Sequence, residues 1–323
     1  MASCRRRKLS RIMFGANVPQ AGSTYEKVRS VALECEKYGF DFVWISDHLQ
    51  DFASKNPYLE CWTTLSALAE ATKRVRLCTL VLNNQLRNPS LLARMAATFD
   101  TISNGRLEFG IGAGWVENEC ISNGIEFPAA PIRIQRLEEA IEVIERLWTS
   151  DNVSFSGKYY QLTGVSSDPK PVQVPHPPIW IGVMKSKPRM LRLIARFADV
   201  WTISSLYLPK PAEYQQIRTA LHEACTAVGR DASLIESAAG IGCVIAKNEA
   251  HLEEKVRRFT PVSISIGSYA VTQTRVEGTP QRCLETLKLY EKLGVTRFVM
   301  NFPDITTLEP IRLFGEKIIP AFR

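Results

Sequence analysis

The sequence contains four histidines, His48, His176, His222 and His251, and only His48 stands at the end of an apolar run and beside a carboxylate, in Ser46-Asp47-His48. An imidazole changes charge near neutral pH and can accept or release a proton during a reaction. Two readings of the pair are open. His48 could do acid–base work, or Asp47 and His48 could form a hydrogen-bonded pair that holds the loop. His222 and His251 fall inside helical patterns, and His176 lies in a proline-rich stretch.

Three further segments carry groups that could hold a ligand. Asn83-Asn84-Gln85 follows an apolar run, and side-chain amides there can pair with the edge of a heterocycle. Asn is also a turn former, so a plain loop is the alternative. Gly110, Gly112 and Gly114 precede Trp115. Glycines admit a ligand close to the backbone, and the indole offers a flat face for stacking. The same glycines could instead relieve crowding where strands converge. The run is not a dinucleotide fingerprint, because Gly114 comes one residue early and no helix is expected behind it. Gly182-Val183-Met184-Lys185-Ser186-Lys187 leads into a helical pattern. The free N–H groups of a helix start suit a phosphate, with Lys185 and Lys187 adding charge. An ordinary start capped by Ser186 is the alternative. No His-Glu-x-x-His, Walker loop or nucleophile elbow occurs, and no metal-ligand cluster is apparent. The chemistry then falls to an organic cofactor that the protein positions.

These residues need a scaffold that brings strand ends together. Short apolar runs at 13–18, 40–45, 75–82, 107–111, 178–183, 199–204, 240–246 and 296–301 read as strands. Amphipathic stretches between them, such as 24–37, 89–102 and 131–148, read as helices. Repeated strand–helix units give parallel strands with right-handed crossovers, and eight of them close into a (β/α)₈ TIM barrel. In that fold the site lies at the carboxyl ends of the strands, where all four segments fall. A doubly wound open sheet is the competing arrangement. Residues 153–162 alternate as a small hairpin would and 168–178 are proline-rich, which reads as an insertion after the fourth β/α unit.

Composition narrows the class. The 323 residues are 45% hydrophobic and carry a formal charge of +7, enough apolar content to exclude disorder. Arg5, Arg6, Arg7, Lys8 and Arg11 cluster in a leader over 1–12, ahead of a barrel over 13–323 that Met13 opens. A basic tail can touch nucleic acid or membrane; here it reads as a solvated, disordered leader, and neither partner is expected. No run is long enough to span a membrane, and no apolar stretch of a signal peptide follows the basic cluster. The eight cysteines form no Cys-x-x-Cys pair, which points to a reducing cytoplasm and away from structural zinc.

Taken in order, several motifs resemble the bacterial luciferase-like superfamily of flavin and deazaflavin oxidoreductases. They are Phe40-Asp41-Phe42-Val43-Trp44-Ile45-Ser46-Asp47-His48, Arg87-Asn88-Pro89, Ser103-Asn104-Gly105-Arg106, Gly110 to Trp115, Pro178-Ile179-Trp180-Ile181-Gly182, Asp199-Val200-Trp201 and Gly278-Thr279-Pro280. Glu60-Cys61-Trp62-Thr63-Thr64-Leu65 resembles the branch that uses the deazaflavin coenzyme F420. The resemblance implies that His48 faces the reactive carbon of the ring and that Asp47, Asn83, Gly112, Gly114 and Trp115 border it. It implies a non-prolyl cis peptide at Leu80–Val81 behind the ring. Gly182 and Val183, with Lys185, would hold the cofactor phosphate, and Phe52 and Trp115 would wall the substrate pocket. Sugar-phosphate dehydrogenases of this branch carry a glutamate where Trp115 stands, and the family's usual second glycine after Gly182 is replaced here by Val183. Proton delivery is therefore unassigned by the resemblance. The expected activity is hydride transfer between F420 and a small organic substrate by a homodimer. A monooxygenase using reduced flavin mononucleotide (FMN) and a non-catalytic binding subunit are the alternatives.

Overall fold

The computed structural model describes residues 11–51, 56–183, 187–203, 208–259, 263–266, 269–272 and 275–323. Eight parallel strands form a closed barrel. They are β1 (Met13–Asn17), β2 (Phe42–Ile45), β3 (Arg76–Thr79), β4 (Leu107–Gly112), β5 (Ile179–Val183), β6 (Val200–Ile203), β7 (Glu236–Ile245) and β8 (Arg297–Asn301). Each pairs with the next, and β8 pairs with β1 through Gly15↔Val299, which excludes the open sheet.

Alternation along each strand sorts side chains between two cores. Phe42 and Trp44 of β2 point into the barrel, where they meet Cys78, Trp180, Val200, Ala238 and Val299. Val43 and Ile45 point outwards into the layer beneath the helices. The inner layer is tight: a Cβ at Gly15 would fall 1.9 Å from the Phe42 ring. Below it lies a buried charge cluster. Glu108 pairs with Arg76 and with Arg297 Nη1 at 2.9 Å, and accepts from Trp180 Nε1 at 2.6 Å.

The helices follow their sequence signals. Asn88 caps α3 (Pro89–Ile102) by accepting from the Ser90 N–H, with Pro89 in the first turn. Its inner stripe of Leu92, Ala93, Ala96 and Ala97 is fully covered. The stretch after α5 (Ala130–Thr149) pairs Val153–Ser156 antiparallel with Gln161–Val165.

Two features depart from the sequence reading. A short helix, α4 (Glu117–Ser122), does start behind Gly114. Six residues are too few for a periodic stripe, and no side chain caps its start. Strand β7 runs four residues further back than expected because successive parts of it serve different neighbours. Glu236–Ala239 pairs with β6, and Gly242–Ile245 pairs in parallel with an extra strand, Arg275–Gly278.

Candidate functional site

At the carboxyl ends of the strands the barrel opens into a cavity of about 460 Å³, a size that suits a small-molecule or cofactor site. The expected residues Asp47, His48, Leu80, Val81, Asn83, Gly112, Gly114, Trp115, Gly182 and Val183 all line it. Phe52, Lys185 and Ser186 lie outside the described residues.

His48 follows β2, and its side chain is 12% exposed. Its Nδ1 lies 3.1 Å from Glu119 Oε2. The other oxygen of Glu119 accepts the Leu49 N–H at 2.6 Å and the Gln50 N–H at 3.4 Å. The carboxylate of Glu119 is buried; it enters from α4 and clamps both the ring and the loop behind it. Trp115 and Tyr58 stand edge-on to the imidazole, with centroids at 5.8 and 6.2 Å. The Tyr58 hydroxyl is 2.7 Å from Ser46 Oγ, and burial pushes the phenol well above its usual pKa. Gln20 fastens the same loop, accepting the Ser46 N–H at 2.8 Å and donating to the Ser46 and Leu59 carbonyls.

Asp47 does not play the part of a loop-holding partner to His48. Its carboxylate receives both arms of Arg87, at 2.6 and 3.0 Å, and the Asn83 N–H at 2.9 Å. Arg87 also reaches Glu60 Oε1 at 2.8 Å. Asp47 therefore touches the cavity while its charge is committed to the scaffold. Asn83 lines the cavity as expected, but its neighbour is turned away. Asn84 is buried with its amide towards the Tyr160 hydroxyl of the hairpin, at 3.4 Å. The chain turns at Asn84 and Gln85, with the Leu86 N–H donating to the Asn83 carbonyl at 3.1 Å, so the row of amides does not face one ligand.

The Leu80–Val81 peptide bond is cis, and both residues form part of the cavity wall. The glycines of β4 pack against this stretch. A Cβ at Gly110 would fall 2.0 Å from the Thr79 carbonyl, and one at Gly112 would fall 2.9 Å from Val81 Cγ2. Gly114 has φ +77°, and a Cβ there would meet Asn83 Oδ1 at 2.4 Å. These glycines let strands and loops pack closely. Gly182 differs: the nearest atom to a Cβ would be Thr202 Cγ2 at 3.7 Å, so its open side belongs to the cavity. A ligand can approach the backbone there, where a Cβ would take its space.

The cavity wall is largely apolar, with Trp44, Leu80, Val81, Trp115, Val116 and Met190 among its members. Its ionisable side chains among the described residues include Asp47, Asp51, Glu119 and His48, and among the described residues it has no Lys or Arg. A flat heterocycle with a polar edge fits such a wall, with Asn83 and the Gly182 backbone as its polar contacts. No group of His, Cys, Asp and Glu among the described residues could hold a metal ion, and no described helix is long and apolar enough to cross a membrane. The sequence reading missed Glu119, Tyr58 and Gln20. Only Glu119 had a legible signal, an acidic residue four positions beyond Trp115, and it needed the unforeseen α4 to be placed.

Residues 12–266 match the family described as Luciferase-like monooxygenase. An F420-dependent glucose-6-phosphate dehydrogenase of Kineococcus radiotolerans is 32% identical over 326 residues, spanning 92% of this chain and 93% of its own. One from Amycolatopsis mediterranei is 28% identical over 321 residues, spanning 90% and 93%. A solved F420-dependent secondary alcohol dehydrogenase superposes with a TM-score of 0.81 at 23% identity, covering 97% of this chain and 99% of that one, a likeness of fold.

Proposed function

The chain belongs to the luciferase-like monooxygenase family, and from that membership we propose that it is an oxidoreductase that uses coenzyme F420. The relatives that share about nine-tenths of its length are F420-dependent dehydrogenases, and they support the cofactor. The observation that carries the reading is one cavity that collects His48, Asn83 and the open backbone of Gly182 at the strand ends. Bound F420 would supply a hydride acceptor or donor in its deazaflavin ring. Asn83 would pair with the ring edge, Leu80 and Val81 would back it, and the Gly182–Val183 backbone would hold the phosphate, with Lys185. His48 would exchange the proton of the substrate oxygen at Nε2, because Glu119 occupies Nδ1. Trp115 would wall off water and bound the substrate, with Phe52.

The glucose 6-phosphate of the relatives does not carry over. The wall is largely apolar, and among its described residues no Lys or Arg faces the cavity to pair with a sugar phosphate. The substrate class is an uncharged, largely apolar alcohol or carbonyl compound. The reading also includes a single catalytic barrel over 13–323, a homodimer and a cytoplasmic site with no nucleic-acid partner. Light scattering on the eluted protein checks the dimer.

The test is a titration with oxidised F420 and, separately, FMN, followed by quenching of cofactor fluorescence. Binding of F420 with loss of turnover in His48→Ala is expected. Binding of FMN alone would move the assignment to a monooxygenase, and binding of neither would refute an enzymatic role.

A further inference from the structure

Glu119 contacts His48 with one carboxylate oxygen and the loop backbone with the other, and the two oxygens do separate work. Oε1 accepts the Leu49 and Gln50 N–H groups, and Oε2 faces His48 Nδ1 at 3.1 Å. Oε1 already accepts two N–H groups, and where Oε2 accepts as well the hydrogen between it and Nδ1 belongs to the imidazole. We infer that Glu119 is a positioning residue that fixes His48 in its Nδ1–H tautomer, so that Nε2 carries the lone pair that takes a proton from the substrate.

Three features of the site support this. Glu119 is 1% exposed, so water does not compete for its oxygens. The orientation is also enforced by the backbone: two N–H donors converge on one oxygen, which makes that site acceptor-only. Trp115 packs edge-on against the imidazole, with centroids 5.8 Å apart and planes at 90°. The inference rests on the proposed function only for the use made of Nε2; the tautomer itself does not depend on which cofactor binds.

The same geometry makes Glu119→Gln a precise probe. The amide carbonyl must take the Oε1 site, because an NH₂ there would leave the Leu49 and Gln50 N–H groups unsatisfied at about 1–3 kcal/mol each. The amide NH₂ then sits at the Oε2 site and donates to Nδ1. His48 is driven to the Nε2–H tautomer while the loop stays clamped, and Nε2 becomes a donor where an acceptor is needed.

The experiment is nitrogen-15 NMR of the full chain labelled at histidine, with the His48 signals assigned by their loss in His48→Asn. In the wild type, His48 is expected to show a protonated Nδ1 and a bare Nε2; Glu119→Gln is expected to show the reverse. F420 affinity of the variant should stay within about threefold, while kcat falls on the order of 100-fold or more, the behaviour of a general base held in the wrong tautomer. A wild-type His48 protonated at Nε2 alone would overturn the inference, as would a variant whose tautomer is unchanged. The wild-type spectrum tests the assignment even if the variant fails to fold. Failure of F420 to bind a protein whose His48 shows the Nδ1–H signature would overturn the proposed cofactor and support the tautomer.

Discussion

Replacing Glu108 with Gln should weaken the fold without touching the chemistry. Glu108 and Arg297 are paired inside the barrel with side-chain exposures of 1% and 8%. Gln keeps the volume and can still accept from Trp180 Nε1, so the substitution removes mainly the charge. Breaking a buried pair costs about 3–5 kcal/mol, because the remaining ion is left uncompensated. Arg297 keeps Glu236 at 2.7 Å, and Arg76 is 26% exposed and reaches solvent, so the lower end, about 3 kcal/mol, applies. A chain of 323 residues unfolds with an entropy of roughly 0.7 kcal/mol/K, so the midpoint should fall by about 4 °C. The pH dependence gives a second check. Burial opposes ionisation of Glu108, but Arg297 and Arg76, with the Trp180 donor, outweigh it and hold the carboxyl below its ordinary value of 4.5. A carboxylate with a depressed folded pKa stabilises fully above its unfolded pKa and loses that contribution as pH falls towards the folded value. The deficit of Glu108→Gln should therefore be constant from pH 8 down to about 5 and shrink in more acid solution. Urea titrations of both proteins across that range measure it. Glu108 precedes Gly112 on β4 by four residues, about 13 Å along the strand, so kcat per folded molecule should not change. A loss under about 1 kcal/mol at pH 7, or a deficit that grows in acid, would refute the argument from the buried pair.

Three further outcomes are expected. Gly114→Ala places a side chain at φ +77° and against Asn83 Oδ1; it should cost about 1–2 kcal/mol in urea titration and weaken F420 binding through displaced Asn83. Arg87→Met leaves the Asp47 carboxylate, 1% exposed, without its bidentate partner; a loss of about 3 kcal/mol is expected, with weaker F420 binding because Asp47 also holds the Asn83 N–H. Trp115→Ala removes a wall of the cavity, and KM for an apolar substrate should rise about tenfold, equivalent to about 1.4 kcal/mol of contact, with a smaller change in kcat.

The fold was legible because its signals are local. Seven of the eight barrel strands are runs of four to six mostly buried residues, and Asn88-Pro89 or Asn104-Gly105 punctuate the chain where the helix and strand begin. The strand-end placement of His48 followed from that count. What stayed hidden depends on contacts between distant residues. Asp47 and His48 are adjacent, yet their partners, Arg87 and Glu119, come from 40 and 71 positions away. Nothing in Ser46-Asp47-His48 decides between a mutual pair and two separate ones.

The glycines make the same point in reverse. Gly110, Gly112 and Gly114 read as room for a ligand, but the atoms a Cβ would strike are Thr79 O, Val81 Cγ2 and Asn83 Oδ1. Sequence alone determined eight strand–helix units with His48, Asn83, Trp115 and Gly182 at or just after strand ends, because hydrophobic period and turn residues act within a few positions of themselves, and the pairing of the last strand with the first closed them into a barrel. Only the tertiary structure decided which carboxylate serves His48, which glycine opens to the cavity and that the described wall holds no Lys or Arg, because those depend on side chains that meet only when the barrel closes.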